Sequence, residues 1–324
     1  MDKFIHFDTS IGSLNIGDQI INECFEVQMK EILSKGLTVK YPTHTPTSHA
    51  YQNTRLNRFY RYCESCKYKF ISGTNIVSAN LFEPWPNWNV NLFNCKPYKD
   101  VIFVGVGKST DKDSINLYTR LLYKRILSKQ FIHSTRDQAT EVILKKYGFQ
   151  AINTGCVTLW SLTNDHCKKI PTHKAPNVIF TLTDYQKNPE RDIEFINCLR
   201  NNYKTLRFWV QGSNDYEYLM SLPNVKDIEI IPPSLNEYRR ALDAAEPVDY
   251  VGTRLHAGIY AMNRFRRSII INVDNRARDM GKTYNLNTVE RNNILDIVKK
   301  INSSFVTNIK IDEKKINLWK NQFK

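Results

Sequence analysis

VDYVGTRLHAGIYAMN, residues Val248 to Asn263, reads as strand, turn and helix in direct succession. Val248, Tyr250 and Val251 form a short apolar run of the kind that makes a buried strand. Gly252 and Thr253 turn the chain, and an apolar-periodic helix continues through Ile259 and Met262. Arg254 and His256 then fall in the first turn of that helix, at the carboxyl end of a strand. Open α/β sheets bind ligands at such places. The helix start also offers unpaired N–H groups and the positive end of its dipole, which suits phosphate. An Arg and a His at that spot make an anion site with a titratable group in it.

The same alternation runs outward in both directions. Toward the N-terminus, Lys3 to Phe7, Tyr68 to Ser72, Val101 to Gly105 and Phe131 to His133 read as strands. Asp18 to Ser34, Asp113 to Leu127 and Thr135 to Tyr147 read as helices, the last with a Thr135/Gln138 capping box and a Gly148 stop. Asn164 to Asn177 is polar, carries Pro171 and Pro176, and is the best linker. A second series of strands follows at Val178 to Leu182, Leu206 to Val210, Ile228 to Ile231, Val248 to Val251 and Ile269 to Val273, with Pro189 to Arg200 and Leu235 to Ala245 helical between them. The pattern predicts an α/β chain of two Rossmann-like domains facing a cleft, residues 1–170 and 171–324. The last helices, Thr288 to Ile301 and Asp312 to Phe323, are expected to pack back across the junction. Tyr41 to Tyr60 is polar and turn-rich and reads as a loop bordering the cleft.

Composition narrows the class. The 324 residues are ordinary for a folded chain, and no window has the apolar length of a membrane span. The start, MDKFIHFDTS, lacks the basic and apolar regions of a signal peptide, so a cytoplasmic location is expected. Seven scattered Cys argue against a disulfide framework. Cys63 and Cys66 are the one tight pair, without the second pair that a zinc site needs. The net charge of +14 admits nucleic acid, an anionic membrane surface or anionic substrates. The Lys and Arg are spread widely and no nucleic-acid motif is present, so nucleic acid is not expected as a partner. Peripheral contact with anionic membrane at its inner face is the alternative to a merely solvated surface.

Several nucleotide motifs fail on inspection. Gly105-Val106-Gly107-Lys108-Ser109 resembles the end of a phosphate-binding loop, but Ile102 stands where the pattern needs Gly. The dinucleotide pattern would need Gly where Thr110 stands. Asp2, Asp8 and Asp18 make no metal constellation, and no DxD-type pair ends a strand, so metal independence is expected.

Read in order, Asn15-Ile16-Gly17-Asp18, Ser72-Gly73-Thr74-Asn75, Thr135-Arg136-Asp137-Gln138, Thr154-Gly155-Cys156 and Arg254-Leu255-His256-Ala257 resemble the polysaccharide pyruvyl transferase family, from about Asn15 to Lys282. The chain departs from many members in lacking a longer Gly-rich run at Ser72–Asn75 and an Asp-Pro pair near Gly155. Ala also stands at positions 139 and 257, where Ser and Gly are frequent.

The resemblance implies a GT-B-like fold with acceptor-side and donor-side domains. It implies transfer of a pyruvyl group from phosphoenolpyruvate to a sugar of a surface polysaccharide or its precursor (exopolysaccharide or capsule), closed as a ketal across two hydroxyls. No cofactor is implied beyond phosphoenolpyruvate as donor substrate; the sugar acceptor would be lipid-linked or nucleotide-linked. Carried over by motif, Arg136, Arg254 and Leu255 would bind the donor and His256 would be the acid/base. The residue types suit this chemistry, since Arg forks match phosphate and carboxylate, and His titrates near neutrality. Asn15, Gly17, Asp18, Gly73, Thr74, Asn75, Gln211, Asp274 and Arg276 are candidates to line the cleft or the acceptor side. Plainer roles stand beside these: a local ion pair for Arg136 with Asp137 or Glu141, a core role for His256, capping at Asn15–Asp18, a solvated salt bridge at Asp274 and Arg276, and core packing for Trp209. A glycosyltransferase using a nucleotide sugar in the same cleft is the main alternative function, because fold does not fix chemistry.

Overall fold

A computed structural model describes residues 1–54, 56–83, 86–109 and 114–324. Two compact units emerge. The first comprises Met1–Ser13, Ile21–Trp160 and Asp312–Lys324; the second comprises Leu14–Ile20 and Ser161–Ile311. The sequence suggested a single boundary at 170/171. The chain instead divides at 160/161, lends the second unit the short stretch 14–20, and returns to the first unit for its last helix.

The first unit contains β1 (Asp2–Asp8), most of α1 (Gly17–Gln28), α2 (Lys30–Leu33), β2 (Gly36–Pro42), α3 (Arg58–Ser65), β3 (Tyr68–Ser72), β4 (Val101–Val104), α4 (Leu117–Ile126), β5 (His133–Thr135), α5 (Gln138–Lys146) and β6 (Ala151–Asn153). Its parallel sheet has the order β2-β1-β3-β4, with β5-β6 as a parallel pair joined to it by a bridge between Val106 and Thr135. Strands buried on both faces read as continuous apolar runs, and Tyr68–Ser72 and Val101–Val104 are buried throughout. The order reverses at β1 and β3, so their carboxyl ends flank a topological switch point.

The second unit contains α6 (Asn164–Cys167), β7 (Asn177–Thr181), α7 (Pro189–Asn202), β8 (Thr205–Trp209), α8 (Asp215–Met220), β9 (Glu229–Ile231), α9 (Leu235–Asp243), β10 (Val248–Gly252), α10 (Leu255–Asn263), β11 (Ser268–Asn272), α11 (Asn275–Tyr284), β12 (Thr288–Glu290) and α12 (Ile294–Asn302). Its six parallel strands run β12-β11-β10-β7-β8-β9. Renumbered within the unit this is the dinucleotide-binding order 3-2-1-4-5-6, with the switch point between β7 and β10. The core on one face joins Val178, Phe180, Phe208, Val251 and Ile269 to Ile297 and Ile301 of α12. The last helix, α13 (Glu313–Asn321), belongs to the first unit, where Trp319 Nε1 donates to Ile132 O at 2.6 Å and its ring meets Trp160.

Several sequence expectations need correction. The long first helix breaks at Met29. The helix expected from Thr288 is a strand to Glu290, because Thr288–Glu290 pairs with Ile270–Asn272; α12 starts six residues later on an Asn293 cap. The strand expected at Phe131–His133 is displaced to His133–Thr135. That removes Thr135 from helix capping. Thr135 pairs with Asn153, and the Asp137 carboxylate caps α5 by accepting Thr140 N–H at 2.7 Å. β2, β6, α8 and α11 went unread, and Tyr41–Tyr60 is partly β2 and α3. The expected helix start at Asp113 and the Thr110 position lie outside the described residues. All seven Cys are free thiols. No described helix is long and apolar enough to cross a membrane.

Candidate functional site

In the second unit the β10–α10 turn delivers Arg254 to the carboxyl end of a strand, as its sequence predicts, and the strand order makes that end part of the switch point. Thr253 N–H donates to Thr181 O at 3.1 Å and Arg254 N–H to Thr181 Oγ1 at 3.2 Å, which ties the turn to the end of β7. The Tyr250 hydroxyl donates to Arg254 O at 2.8 Å from beneath. Gly252 is required here because a Cβ would run into Thr181. Arg254 is the N-cap of α10 and supplies no side-chain cap. Leu255 and His256 follow in the first turn, both buried.

The guanidinium of Arg254 is 4% exposed and held by two carboxylates. Nε donates to Leu182 O at 3.2 Å and to Asp215 Oδ2 at 3.1 Å; Nη2 donates to Asp184 at 2.8 Å and to Asp215 Oδ1. The Tyr185 ring lies 5.2 Å from its Cζ. Gly212 N–H and Asp184 N–H add bonds of 2.7 and 3.2 Å to Asp215. Burial lifts the Asp215 carboxyl above its ordinary range, while Arg254 and these N–H groups pull it down. Donors therefore reach both of its oxygens. Burial also raises Asp184, but Arg254 and Asn214 outweigh it and leave that carboxyl low. Arg254 therefore arrives already paired. Among the described residues its Nε and Nη2 make all of these hydrogen bonds and its Nη1 makes none.

Other candidates gather around this pair. Asn15 bridges to Gly212 in antiparallel fashion, and its Oδ1 accepts Gly17 N–H at 2.9 Å and Gln211 Nε2 at 2.8 Å. A Cβ on Gly17 would sit 2.9 Å from that amide and push it aside. Asp18 opens α1 and donates its N–H to Asn15 O at 3.1 Å. Gln211 is buried, and its Oε1 has no hydrogen-bond partner among the described residues. Asp274 caps α11 by accepting Ala277 N–H at 2.9 Å, and Arg276 donates to the Tyr185 hydroxyl at 3.4 Å. Trp209 stacks on Tyr238 at 3.9 Å, the core role that its sequence context allowed.

The remaining candidates form a second cluster in the first unit. Arg136 lies in the β5–α5 turn, ahead of the cap rather than inside the helix. It is 8% exposed, its N–H donates to Val106 O at 2.9 Å, and its Nη2 donates to Asn75 Oδ1. Asp137 stands 3.8 Å from its Nε, whereas Glu141 pairs with Lys145. Gly73 and Thr74 turn the chain with positive φ (63° and 47°), and Thr74 O accepts Gly107 N–H at 2.9 Å. A Cβ on Gly107 would overlap the Arg136 guanidinium. Gly107, set aside as part of a failed nucleotide loop, is thus the bed on which Arg136 lies, while Gly105 packs against Val157.

Sequence reasoning missed Asp184, Tyr185, Gly212 and Asp215. The available signal was position alone, since Asp184 follows the Val178–Leu182 run and Gly212 to Asp215 follow Trp209–Gln211. Nothing local says that Asp215 pairs with an Arg 39 residues away.

A family model described as polysaccharide pyruvyl transferase matches residues 15–275. Similar solved structures include E. coli heptosyltransferase WaaC with ADP-2-deoxy-2-fluoro heptose, 13% identical over 93% of this chain and 99% of that one, TM-score 0.43. Another is the UDP-GlcNAc 2-epimerase from Neisseria meningitidis bound to UDP-GlcNAc, 10% identical over 100% of both chains, TM-score 0.46. Likeness at this level bears on neither substrate nor site. No curated protein matches the chain.

Proposed function

The chain belongs to the polysaccharide pyruvyl transferase family, and on that premise we propose that it carries a pyruvyl group from phosphoenolpyruvate onto two hydroxyls of a glycan sugar. The observation that carries the reading is the β10–α10 turn. An uncapped helix start and the outer edge of a fixed Arg254 meet at the switch point of a Rossmann-ordered sheet. A donor with a phosphate and a carboxylate matches those groups. Asp184 and Asp215 hold the Arg fork still, so its rotamer entropy is lost on folding rather than on binding.

In the proposed reaction His256 delivers a proton to the methylene carbon of the enol. C2 becomes electrophilic and a sugar hydroxyl adds to it, releasing its proton. The second hydroxyl then displaces phosphate at C2 and closes the ketal. Two hydroxyl protons leave; one replaces that given to carbon and one departs with phosphate. General acid catalysis of this kind contributes about 10²–10⁴-fold, the loss expected for His256→Ala. Arg136, on its Asn75 and Gly107 support, is proposed as an anion contact of the first unit, and Asn15, Gln211, Asp274 and Arg276 as groups of the second that position substrate. The acceptor is proposed to sit on an anionic membrane surface, which the charge of +14 would favour.

The test is a thermal-shift titration with phosphoenolpyruvate beside a panel of nucleotide sugars. A ligand at about 100 times its Kd adds about 2.7 kcal/mol and raises the midpoint by a few degrees. A shift with phosphoenolpyruvate that Arg254→Lys abolishes is expected. A shift with one nucleotide sugar and none with phosphoenolpyruvate would replace pyruvyl transfer by glycosyl transfer.

A further inference from the structure

The first unit holds a polar cluster that the reaction above does not use. His6 and Asp8 alternate along β1 and so share a face of the sheet, against which α1 packs with Glu26. One ligand atom from each of His6, Asp8 and Glu26 lies within 4.8 Å of the others. His6 is fully buried, Asp8 is 4% exposed, and the Glu26 side chain is 40% exposed and opens the cluster to water.

Hydrogen bonds fix the proton on His6. Asn22 Nδ2 donates to Thr9 Oγ1 at 2.9 Å, and Thr9 Oγ1 donates to Ser72 O at 3.0 Å. The Asn22 amide is thereby oriented, and its Oδ1 accepts the Ser72 hydroxyl at 2.6 Å. With its own proton spent, Ser72 Oγ must accept from His6 Nε2–H at 2.8 Å. In the neutral ring this leaves the Nδ1 lone pair pointing at Glu26 Oε1, 3.7 Å away. His6 Nδ1 has no hydrogen bond among the described residues, and Glu26 Oε1 is reached by the Lys40 ammonium alone. Two buried acceptors face each other across a gap that calls for positive charge.

Lys40 answers part of that call. Its ammonium pairs with Glu26 and lies 3.5 Å from Asp8 Oδ2, while Asp8 Oδ1 is occupied by Ser10 N–H and Oγ–H. It makes no hydrogen bond to His6 Nδ1, and its side chain is 46% exposed and able to swing into water. A divalent ion would serve all three ligands. Ligand atoms about 2.0–2.2 Å from a tetrahedral zinc stand about 3.3–3.6 Å apart, close to the 3.7 Å observed. The ring N–H held by Ser72 is the arrangement that orients a metal-binding His.

We propose that His6 Nδ1, Asp8 and Glu26 bind a divalent transition-metal ion of the zinc class, which displaces the ammonium of Lys40. Asp8 and Ser72 end β1 and β3, so the ion sits at the first unit's switch point beside Gly73–Asn75. Three protein ligands leave a position open to a substrate oxygen or water. The site stands independently of the pyruvyl reading.

The test is titration of the full-length, metal-stripped protein with Co²⁺ followed by visible absorption, and with Zn²⁺ by calorimetry. One equivalent is expected to bind. Lys40→Ala, at a half-exposed position, should tighten binding about tenfold or more by removing a competing cation. Glu26→Gln should abolish it. Failure of both wild type and Lys40→Ala to take up an equivalent would overturn the site, as would uptake undiminished in Glu26→Gln.

Discussion

His133 makes the first unit acid-sensitive at a defined place. The ring is completely buried between β4 and β5: Nδ1 accepts the Phe103 N–H at 3.1 Å, and Nε2–H donates to Ser128 O at 2.9 Å. Both nitrogens are committed in the neutral form, so protonation at Nδ1 must break the Phe103 bond. Burial accordingly depresses the imidazole from 6.5 to about 4, with the Ser128 carbonyl pulling weakly the other way. The unfolded chain binds its proton near 6.5 and the folded chain near 4. Between those values the unfolded state holds more protons, so stability falls as the pH drops. At 1.36 kcal/mol per unit the whole difference is about 3 kcal/mol, of which about 2 is lost between pH 7 and pH 5. Native-state hydrogen exchange at the amides of β4 reads this directly, whether or not the two units unfold together. His133→Gln supplies the reference: wild-type exchange free energy minus that of the variant should shrink by about 2 kcal/mol from pH 7 to pH 5. A difference constant to within about 0.5 kcal/mol would refute the assignment of a neutral, doubly bonded His133. In the folded chain the ring stays neutral across this window, so ligand contacts made by Arg136, into which β5 runs directly, should hold until the pH approaches about 4.

Other outcomes follow from the geometry. Gly107→Ala should displace the Arg136 guanidinium and shrink the phosphoenolpyruvate-induced midpoint shift, at a stability cost near 1 kcal/mol by urea unfolding, because the overlap falls on the flexible end of a side chain. Asp215→Asn should cost about 3–5 kcal/mol and abolish the same shift, since it leaves buried Arg254 short of a counter-charge; Asp184→Asn, at a partly exposed carboxylate, should cost less. Arg267→Met strands Asp249, to which Arg267 donates at 2.6 Å, and exposes the Ile301 and Ser303 carbonyls to loss of their donor. It should cost a similar 3–5 kcal/mol without changing the ligand-induced shift of the protein that remains folded. Sedimentation with anionic vesicles should show binding at low salt that fades at about 0.5 M, and indifference at low salt would refute the membrane contact.

The parts of this molecule legible in sequence are those whose signal is local. VDYVGTRLHAGIYAMN encodes its strand in an apolar run, its turn in Gly252 and its helix in periodicity, and all three form where they were read. Thr288–Glu290 failed for the opposite reason. Its three residues lead into a strongly helical stretch, and only pairing with Ile270–Asn272 makes them a strand. β2 is half-exposed along its whole length and lacks the apolar density of its neighbours. Arg136 was assigned to a helix because Thr135 and Gln138 mimic a capping box; the competing cap at Asp137 was invisible until β6 claimed Thr135. The His6 cluster could not be read at all, since its ligands alternate on a strand, lie in the last turn of a helix and gain meaning only when α1 folds onto β1.

The same contrast bears on how the candidate site works. A sequence shows Arg254 as a cation at a helix start and invites the inference that it waits for an anion. Its two carboxylate partners are farther along the chain than any motif reaches, and together they outweigh its charge. The proposed anionic donor would then be held by what the pair leaves over: the guanidinium's Nη1 and the N–H groups that begin α10. On the proposed reading such a site is expected to bind weakly in the ground state. It gains when phosphate begins to depart and its charge grows, because donors already fixed in place need no reorganisation. If that is the role of Asp215, the Asp184→Asn variant, which relaxes one side of the fork while keeping Asp215, should lower kcat more than it raises the KM for phosphoenolpyruvate. A change confined to KM would assign the two carboxylates to ground-state binding alone.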